Sequence, residues 1–458
     1  VLLFVAYVLA ARALGDAGFG EFSVGMTVAL VLSALPTWGT ARYSSILAAR
    51  EPERTEHLLA TSLGLIALLS LVYLPLVWLA GSMLGDGGVV APVALILGVD
   101  ALAREYGNLL RLLMRVHGEF VLDTISVFAE RGLMTAAALG VIFAAPDPIL
   151  LAAAFAAGRS LGVSVTAAFY RARIGPIGVR FDREPLRGIW SGGTPLAIRR
   201  GIAEVAFRVD MLFLGAFRAA QEAGWYGSVY RLMDGVLMLP SIITGSLGPT
   251  LSANFAEGRL EVVNRLYRRG VKYLLITGLF LAAVFGILAE PIVRLLFGED
   301  FLPAAGALRI LSPAVVFVFL RRHATEVLDN MDLRKATVWI YTGALVANLL
   351  LNLVLVPRYG YLGAAVATSV AEGYLIAAMM WALLRAGQSP LALSELGAIM
   401  VSVTVASAVM WSLIATPVWA VGAAGAAYLI LLTLFRAWDE KDRLLARSVL
   451  RGAMARFR

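Results

Sequence analysis

Apolar runs of roughly 20 residues recur along the whole chain, separated by short polar turns, and runs of that length cross a bilayer as helices. Fourteen are read, at 1–14, 21–47, 58–82, 89–115, 121–144, 148–171, 188–216, 224–252, 270–289, 303–329, 335–356, 361–385, 394–415 and 417–437. The pattern predicts an all-α polytopic membrane protein with about 14 transmembrane helices. The first run is short and starts at Val1 rather than Met, so further residues are expected upstream.

The connecting segments are short, and none is long enough to fold as a catalytic domain. Alternate loops differ in charge. One set holds Arg50, Arg54, Arg115, the arginines between Arg171 and Arg187, those between Arg259 and Arg269, Lys272, Arg334, Lys335, Arg385 and the basic residues beyond Arg436. The other set holds only Arg218, Arg294 and Arg358. By the positive-inside rule the first side is cytoplasmic and both termini lie there, as expected in the inner membrane of a prokaryote. The longest connection, with Gly175, Pro176, Gly178 and Pro185, reads as a linker between two halves. The expected organisation is an N-terminal bundle at 1–175, a linker at 176–187, a C-terminal bundle at 188–386, two accessory helices within 387–437, and a basic tail at 438–458. The tail is expected to lie along the inner leaflet or to extend into solvent.

Composition agrees with this setting. Of 458 residues, 60% are hydrophobic and 15% charged, against about a quarter charged in a soluble domain. Cysteine is absent and only His57, His117 and His323 occur, far apart. These facts exclude a disulfide framework or thiolate site and argue against zinc. The charge that remains is concentrated inside the spans. Asp100, Arg104, Asn108, Arg111 and Arg115 follow at spacings of four, four, three and four, on one face of the fourth helix. A charged group at the bilayer centre costs about 2.5–3.5 kcal/mol, so this stripe must face protein or a water-filled cavity. Further in-span groups are Arg200, Glu204, Arg208 and Asp210; Arg231 and Asp234; Arg322, Glu326 and Asp329; and Arg42, Glu130, Arg131, Arg159 and Glu372. Some of these can lock helices together as ion pairs. Arg42, Glu130 and Arg131 are near enough to span ends to snorkel.

The halves echo one another. Asp16-Ala17-Gly18 precedes the second helix and Glu222-Ala223-Gly224 the eighth; Pro92 and Pro303 open the fourth and tenth. The latter register sets Arg111 opposite Arg322 and Arg115 opposite Glu326. A displacement of six helices preserves orientation, so two six-helix bundles in parallel pseudo-repeat, plus two accessory C-terminal helices, are expected.

The chain resembles the polysaccharide (O-antigen-type) flippases of the multidrug/oligosaccharidyl-lipid/polysaccharide exporter superfamily. The resemblance is carried by Leu14-Gly15 with Asp16-Ala17-Gly18-Phe19-Gly20-Glu21-Phe22, by Val209-Asp210-Met211-Leu212-Phe213-Leu214-Gly215 ahead of Gly224-Trp225-Tyr226, by Pro249-Thr250-Leu251-Ser252, and by the stretch from Tyr359-Gly360-Tyr361-Leu362-Gly363 to Thr368. It implies a transporter, not an enzyme. The implied cargo is an isoprenoid-diphosphate-linked oligosaccharide turned from the inner to the outer leaflet by alternating access. Membrane lipids and polysaccharide-assembly enzymes are the implied partners, and nothing points to nucleic acid. Guanidinium stays charged and binds phosphate in a fork. An Arg-rich central cavity for the anionic headgroup is therefore expected, with Arg104, Arg111, Arg115, Arg208, Arg231, Arg321 and Arg322 as the candidate contacts and Arg42 and Arg159 behind them. No Walker-type loop is present, and no cofactor is expected. Asp100, Asp210, Glu326 and Glu372 are candidates for proton or sodium coupling, or for structural pairing with arginine. A multidrug exporter and a peptidoglycan-precursor exporter are the nearest rivals. A membrane-embedded glycan ligase or polymerase fits less well, because those enzymes place Arg and His on a long external loop.

Overall fold

The computed structural model describes residues 2–435 except 86–87, 182, 237, 332 and 389–392; the basic tail at 438–458 lies outside the described residues. All the regular structure described is helical. In chain order the helices are α1 (Leu2–Leu32), α2 (Ala34–Thr37), α3 (Thr40–Arg50), α4 (Thr55–Ser82), α5 (Val90–Val116), α6 (Phe120–Ala144), α7 (Pro148–Arg173), α8 (Arg183–Phe217), α9 (Ala220–Val236) and α10 (Met238–Ala256). They continue with α11 (Leu260–Ile287), α12 (Ala289–Phe297), α13 (Ala304–Asn330), α14 (Arg334–Arg385), α15 (Leu393–Ser412) and α16 (Pro417–Leu434).

Two of these helices each supply two spans. Gly15 breaks α1 with φ 69° and ψ 179°, a region open to glycine. The chain turns back there, because the Tyr7 hydroxyl lies 3.7 Å from the Met26 sulfur; in a straight helix 19 residues would separate them by about 28 Å. Gly360 breaks α14 in the same way, with φ 58° and ψ −138°. Asn348 on one side of that break reaches the Ala206 carbonyl, while Thr368 on the other reaches Asp210, one turn further along α8. Among the described residues nine stretches are long and apolar enough to cross a membrane, the two broken ones included. Helix α5 is not among them because its own charges interrupt it, and α8 carries a similar stripe. Helices α9 and α10 both fall on the expected span 224–252. The fold is that of an all-α polytopic protein with fourteen membrane helices.

The chain divides into two compact units. The first comprises Val1–Gly235, Val293–Ala307 and Tyr341–Ala371; the second comprises Val236–Ile292, Leu308–Ile340 and Glu372–Arg458. In the first unit, the two acid-Ala-Gly segments recognised in the sequence cross each other. A Cβ placed on Gly20 would strike the Ala220 carbonyl and sit 2.9 Å from the Gly224 nitrogen. One placed on Gly224 would strike the Asp16 carbonyl and sit 3.2 Å from the Gly20 nitrogen. The contacts are reciprocal, as a local two-fold requires, and they pair Gly20 with Gly224 and Asp16 with Ala220. That register is two residues away from the motif alignment. Trp225 completes the crossing by donating its indole N–H to the Asp16 carboxylate at 3.1 Å and to the Asp300 carbonyl at 3.0 Å.

Elsewhere in this unit glycines bring helices into backbone contact. Gly158 lies against the Leu133–Met134 backbone and Gly162 against Glu130, so α7 packs tightly on α6 through a Gly-x-x-x-Gly face. Asp147 caps α7 by accepting the Ile149 and Leu150 N–H groups, both at 2.9 Å, with Pro148 at the first helical position.

Candidate functional site

The polar stripe of α5 faces protein. Close approach of α7 to α6 places Arg159 beside Glu130, and both side chains are almost fully buried. Glu130 accepts a charge-assisted bond from Arg159 and another from Arg111. Arg159 turns its Nε to Asp100 at 2.6 Å, and Arg111 donates to Asn108 Oδ1 at 2.5 Å. Asp100, Arg159, Glu130 and Arg111 therefore form a charge-balanced quartet joining α5, α6 and α7. Glu130 belongs to this interior and does not snorkel, because Gly162 admits it to the helix interface. At the end of α5, Arg115 pairs with Asp123 at 2.6 Å, with the Arg115 side chain about half exposed.

Arg104 has a different environment. Its Nε lies 3.3 Å from Glu105 Oε1, and its buried Nη2 has no hydrogen-bond partner. Arg200 of α8 donates to the same carboxylate, at 2.7 Å through Nη2 and 3.2 Å through Nη1. Two guanidinium groups thus share one buried acid. Along α8, Arg208 lies 3.2 Å from Glu204, four residues earlier. On α9, Arg231 pairs with Asp234 at 3.0 Å and stacks over Tyr7 at 4.7 Å, and its buried Nε lacks an acceptor.

Asp210 is buried with no arginine among its hydrogen-bond donors. It accepts from the Tyr226 hydroxyl at 2.6 Å, from the Tyr230 hydroxyl, from Thr368 at 2.9 Å and from the Met211 N–H at 2.8 Å. The four donors come from α8, α9 and the second half of α14.

In the second unit, taken by itself, Arg321 donates to Glu372 at 2.8 Å. Arg322 is exposed and lies within electrostatic reach of Glu326. Glu326 packs against Gly248, where a Cβ would strike its carboxylate.

Sequence reasoning missed Glu105 as a partner, because it stands one residue beyond Arg104 and off the i,i+4 row. A signal for Glu130 was present in Gly158-Arg159-Ser160-Leu161-Gly162, a small-residue face that draws a neighbouring helix close.

Comparison with known proteins places the chain in a family. The family model described as "Polysaccharide biosynthesis protein" matches residues 1–255, more than half of the chain. The chain belongs to this family. A second model, "Lipid II flippase MurJ", matches residues 225–436. The chain is similar to the probable flippase AglR of Haloferax volcanii, 28% identical over 45% of this chain and 44% of that protein. It is also similar to the stage V sporulation protein B of Bacillus subtilis, 22% identical over 80% of this chain and 77% of that protein. The alignments span less than half the length of the first curated relatives matched. Among solved structures, a lipid II flippase MurJ in an inward closed conformation aligns with TM-score 0.74 and 13% identity, over 95% of this chain and 99% of that one. An inward-facing multidrug transporter of the MOP superfamily aligns with TM-score 0.66 and 16% identity, over 84% and 94%. At such identities the likeness is one of fold.

Proposed function

We propose that the chain flips an isoprenoid-diphosphate-linked oligosaccharide from the cytoplasmic to the outer leaflet of a prokaryotic inner membrane, with both termini cytoplasmic. The reading rests on one observation above the others: Arg104 and Arg200 share the single buried carboxylate of Glu105 and leave a guanidinium nitrogen without an acceptor. The pair is an electropositive site on helices otherwise suited to lipid, and a diphosphate offers the acceptors it lacks. The headgroup contacts in this reading are Arg104 and Arg200, then Arg231 and Arg208. Arg111 supports them as part of the neutral quartet. Arg115, Arg321 and Arg322 remain candidates at other heights of the pathway. The acyl chain stays in the bilayer while the anion and sugars follow the polar route.

The matched family and the relatives named as flippases support this cargo class. A peptidoglycan precursor is the second reading, favoured by the lipid II flippase model over residues 225–436. It shares the diphosphate, so the arginine chemistry is common to both. Asp210 is the preferred coupling site for a proton or sodium ion, because hydroxyl groups and not arginines surround it. Asp100 and Glu372 have arginine partners already.

The test is translocation of a fluorescent lipid-linked oligosaccharide in proteoliposomes, with a fluorescent isoprenyl diphosphate carrying the peptidoglycan disaccharide-peptide in parallel. Arg104→Gln and Arg200→Gln are expected to lower transport at least tenfold with folding intact. Full transport of both cargoes by the doubly substituted protein refutes the assignment.

A further inference from the structure

Glu105 is the least accessible member of the Arg104–Glu105–Arg200 cluster. Its side chain is 3% exposed, against 25% for Arg104 and 34% for Arg200. The acid is therefore the enclosed member of the cluster, and the surface the cluster exposes belongs to the two arginine side chains. Arg200 approaches through two nitrogens, one to each carboxylate oxygen. This binding fixes the two cations and cancels one of their two charges.

We propose that Glu105 is a positioning and affinity-setting residue: a resident counter-anion that holds Arg104 and Arg200 apart to receive an anionic headgroup and keeps their net charge at one, so that the headgroup is released again. The inference rests on the diphosphate reading above. A site with two unopposed guanidinium groups would bind a diphosphate too tightly to turn over, since a transported ligand must leave as well as enter. A site with one cation fully neutralised by an acid would scarcely bind it. The shared carboxylate sets an intermediate state. It also ties α5 to α8, helices that the sequence assigns to different halves. A bound anion contacting both arginines would supply a second tie between them.

The experiment measures inorganic pyrophosphate binding to the purified full chain in detergent by isothermal titration calorimetry. Neutralising the acid in Glu105→Gln leaves two positive charges, and binding is expected to tighten by about tenfold. Arg200→Gln leaves one cation against one acid, and binding should be lost. The double variant returns the net charge to one and should regain affinity within about threefold of the unsubstituted protein. Glu105→Asp keeps the charge and should stay near the unsubstituted value. In proteoliposomes Glu105→Gln should lower KM and kcat together, which marks slowed release. If Glu105→Gln does not fold, the double variant measured against Arg200→Gln carries the same test. Failure of the unsubstituted protein to bind pyrophosphate overturns the diphosphate reading itself. Binding by the unsubstituted protein with weaker binding by Glu105→Gln, or no regain in the double variant, overturns only the role given to Glu105.

Discussion

Replacing Glu130 by Gln tests whether the buried quartet holds the first unit together. Its carboxylate is 2% exposed, and the Arg111 and Arg159 side chains it joins are 9% and 7% exposed. At hydrogen-bond range each attraction has a gross value of about 5 kcal/mol with an effective dielectric constant near 20. Much of that offsets the desolvation of the ions. The net loss is set by what remains when the acid is neutralised. Arg159 keeps Asp100 at 2.6 Å, whereas Arg111 keeps only the neutral Asn108. One buried guanidinium is left without a counter-charge, and such a break costs about 3–5 kcal/mol. Arg294→Gln is the control: both members of its ion pair with Glu299 are more than half exposed, and the pair is worth about 1 kcal/mol or less. Unfolding would be followed by circular dichroism in mixed dodecyl maltoside and SDS micelles, for Glu130→Gln, Arg111→Gln and their combination. The combined variant should be more stable than the sum of its parts predicts, by at least about 1 kcal/mol, since the orphaned cation is removed with its acid. If Glu130→Gln is no more destabilising than Arg294→Gln, the quartet is not a structural centre and the argument from burial fails.

Further substitutions probe other features. Gly20→Val places side-chain atoms against the Ala220 carbonyl and should abolish recovery of monodisperse protein on size exclusion, whereas Gly140→Ala, with open space around its Cβ, should leave recovery unchanged. Gly360→Ala forces a side chain into φ 58° and onto the Glu222 carboxylate, and a loss of about 1–3 kcal/mol is expected in the same micelle titration. Asp210→Asn should fold, because its amide oxygen still accepts from hydroxyls, but transport should lose its response to an imposed sodium or proton gradient; an unchanged response to both would remove Asp210 from coupling.

Hydropathy made the spans legible because each membrane helix must hide its own backbone in about 20 apolar residues, a one-dimensional constraint. The α5 stripe was legible for a similar reason: residues three and four apart share a face whatever lies opposite. What lay opposite was not legible. The pairing of Arg111 with Glu130 joins residues 19 apart, and that of Arg200 with Glu105 joins residues 95 apart. Neither separation follows from periodicity. Glu130 reads as free to snorkel in the sequence because its burial between helices depends on Gly162 allowing α6 and α7 to meet. The repeat was visible in two short motifs, but its contact register was not, since a shared acid-Ala-Gly pattern does not say which glycines cross.

The in-span acids divide by partner chemistry, and the division bears on energy coupling. A carboxylate bound to arginine, such as Asp100, Glu105, Glu130 or Glu372, already has a counter-cation that cannot give up its proton at any ordinary pH. Recruiting a small cation there would first require breaking a buried ion pair. Asp210 instead receives hydroxyl groups from Tyr226, Tyr230 and Thr368. A hydroxyl is donor and acceptor at once, so the same groups that solvate the carboxylate can turn their lone pairs toward a sodium ion, or accommodate the acid when it takes up a proton. The exchange needs rotation of O–H bonds and no rupture of a salt bridge. Since the donors come from α8, α9 and the second half of α14, occupancy would alter how those three helices hold together. That is the requirement for linking an ion gradient to the movement of cargo in the proposed transport cycle.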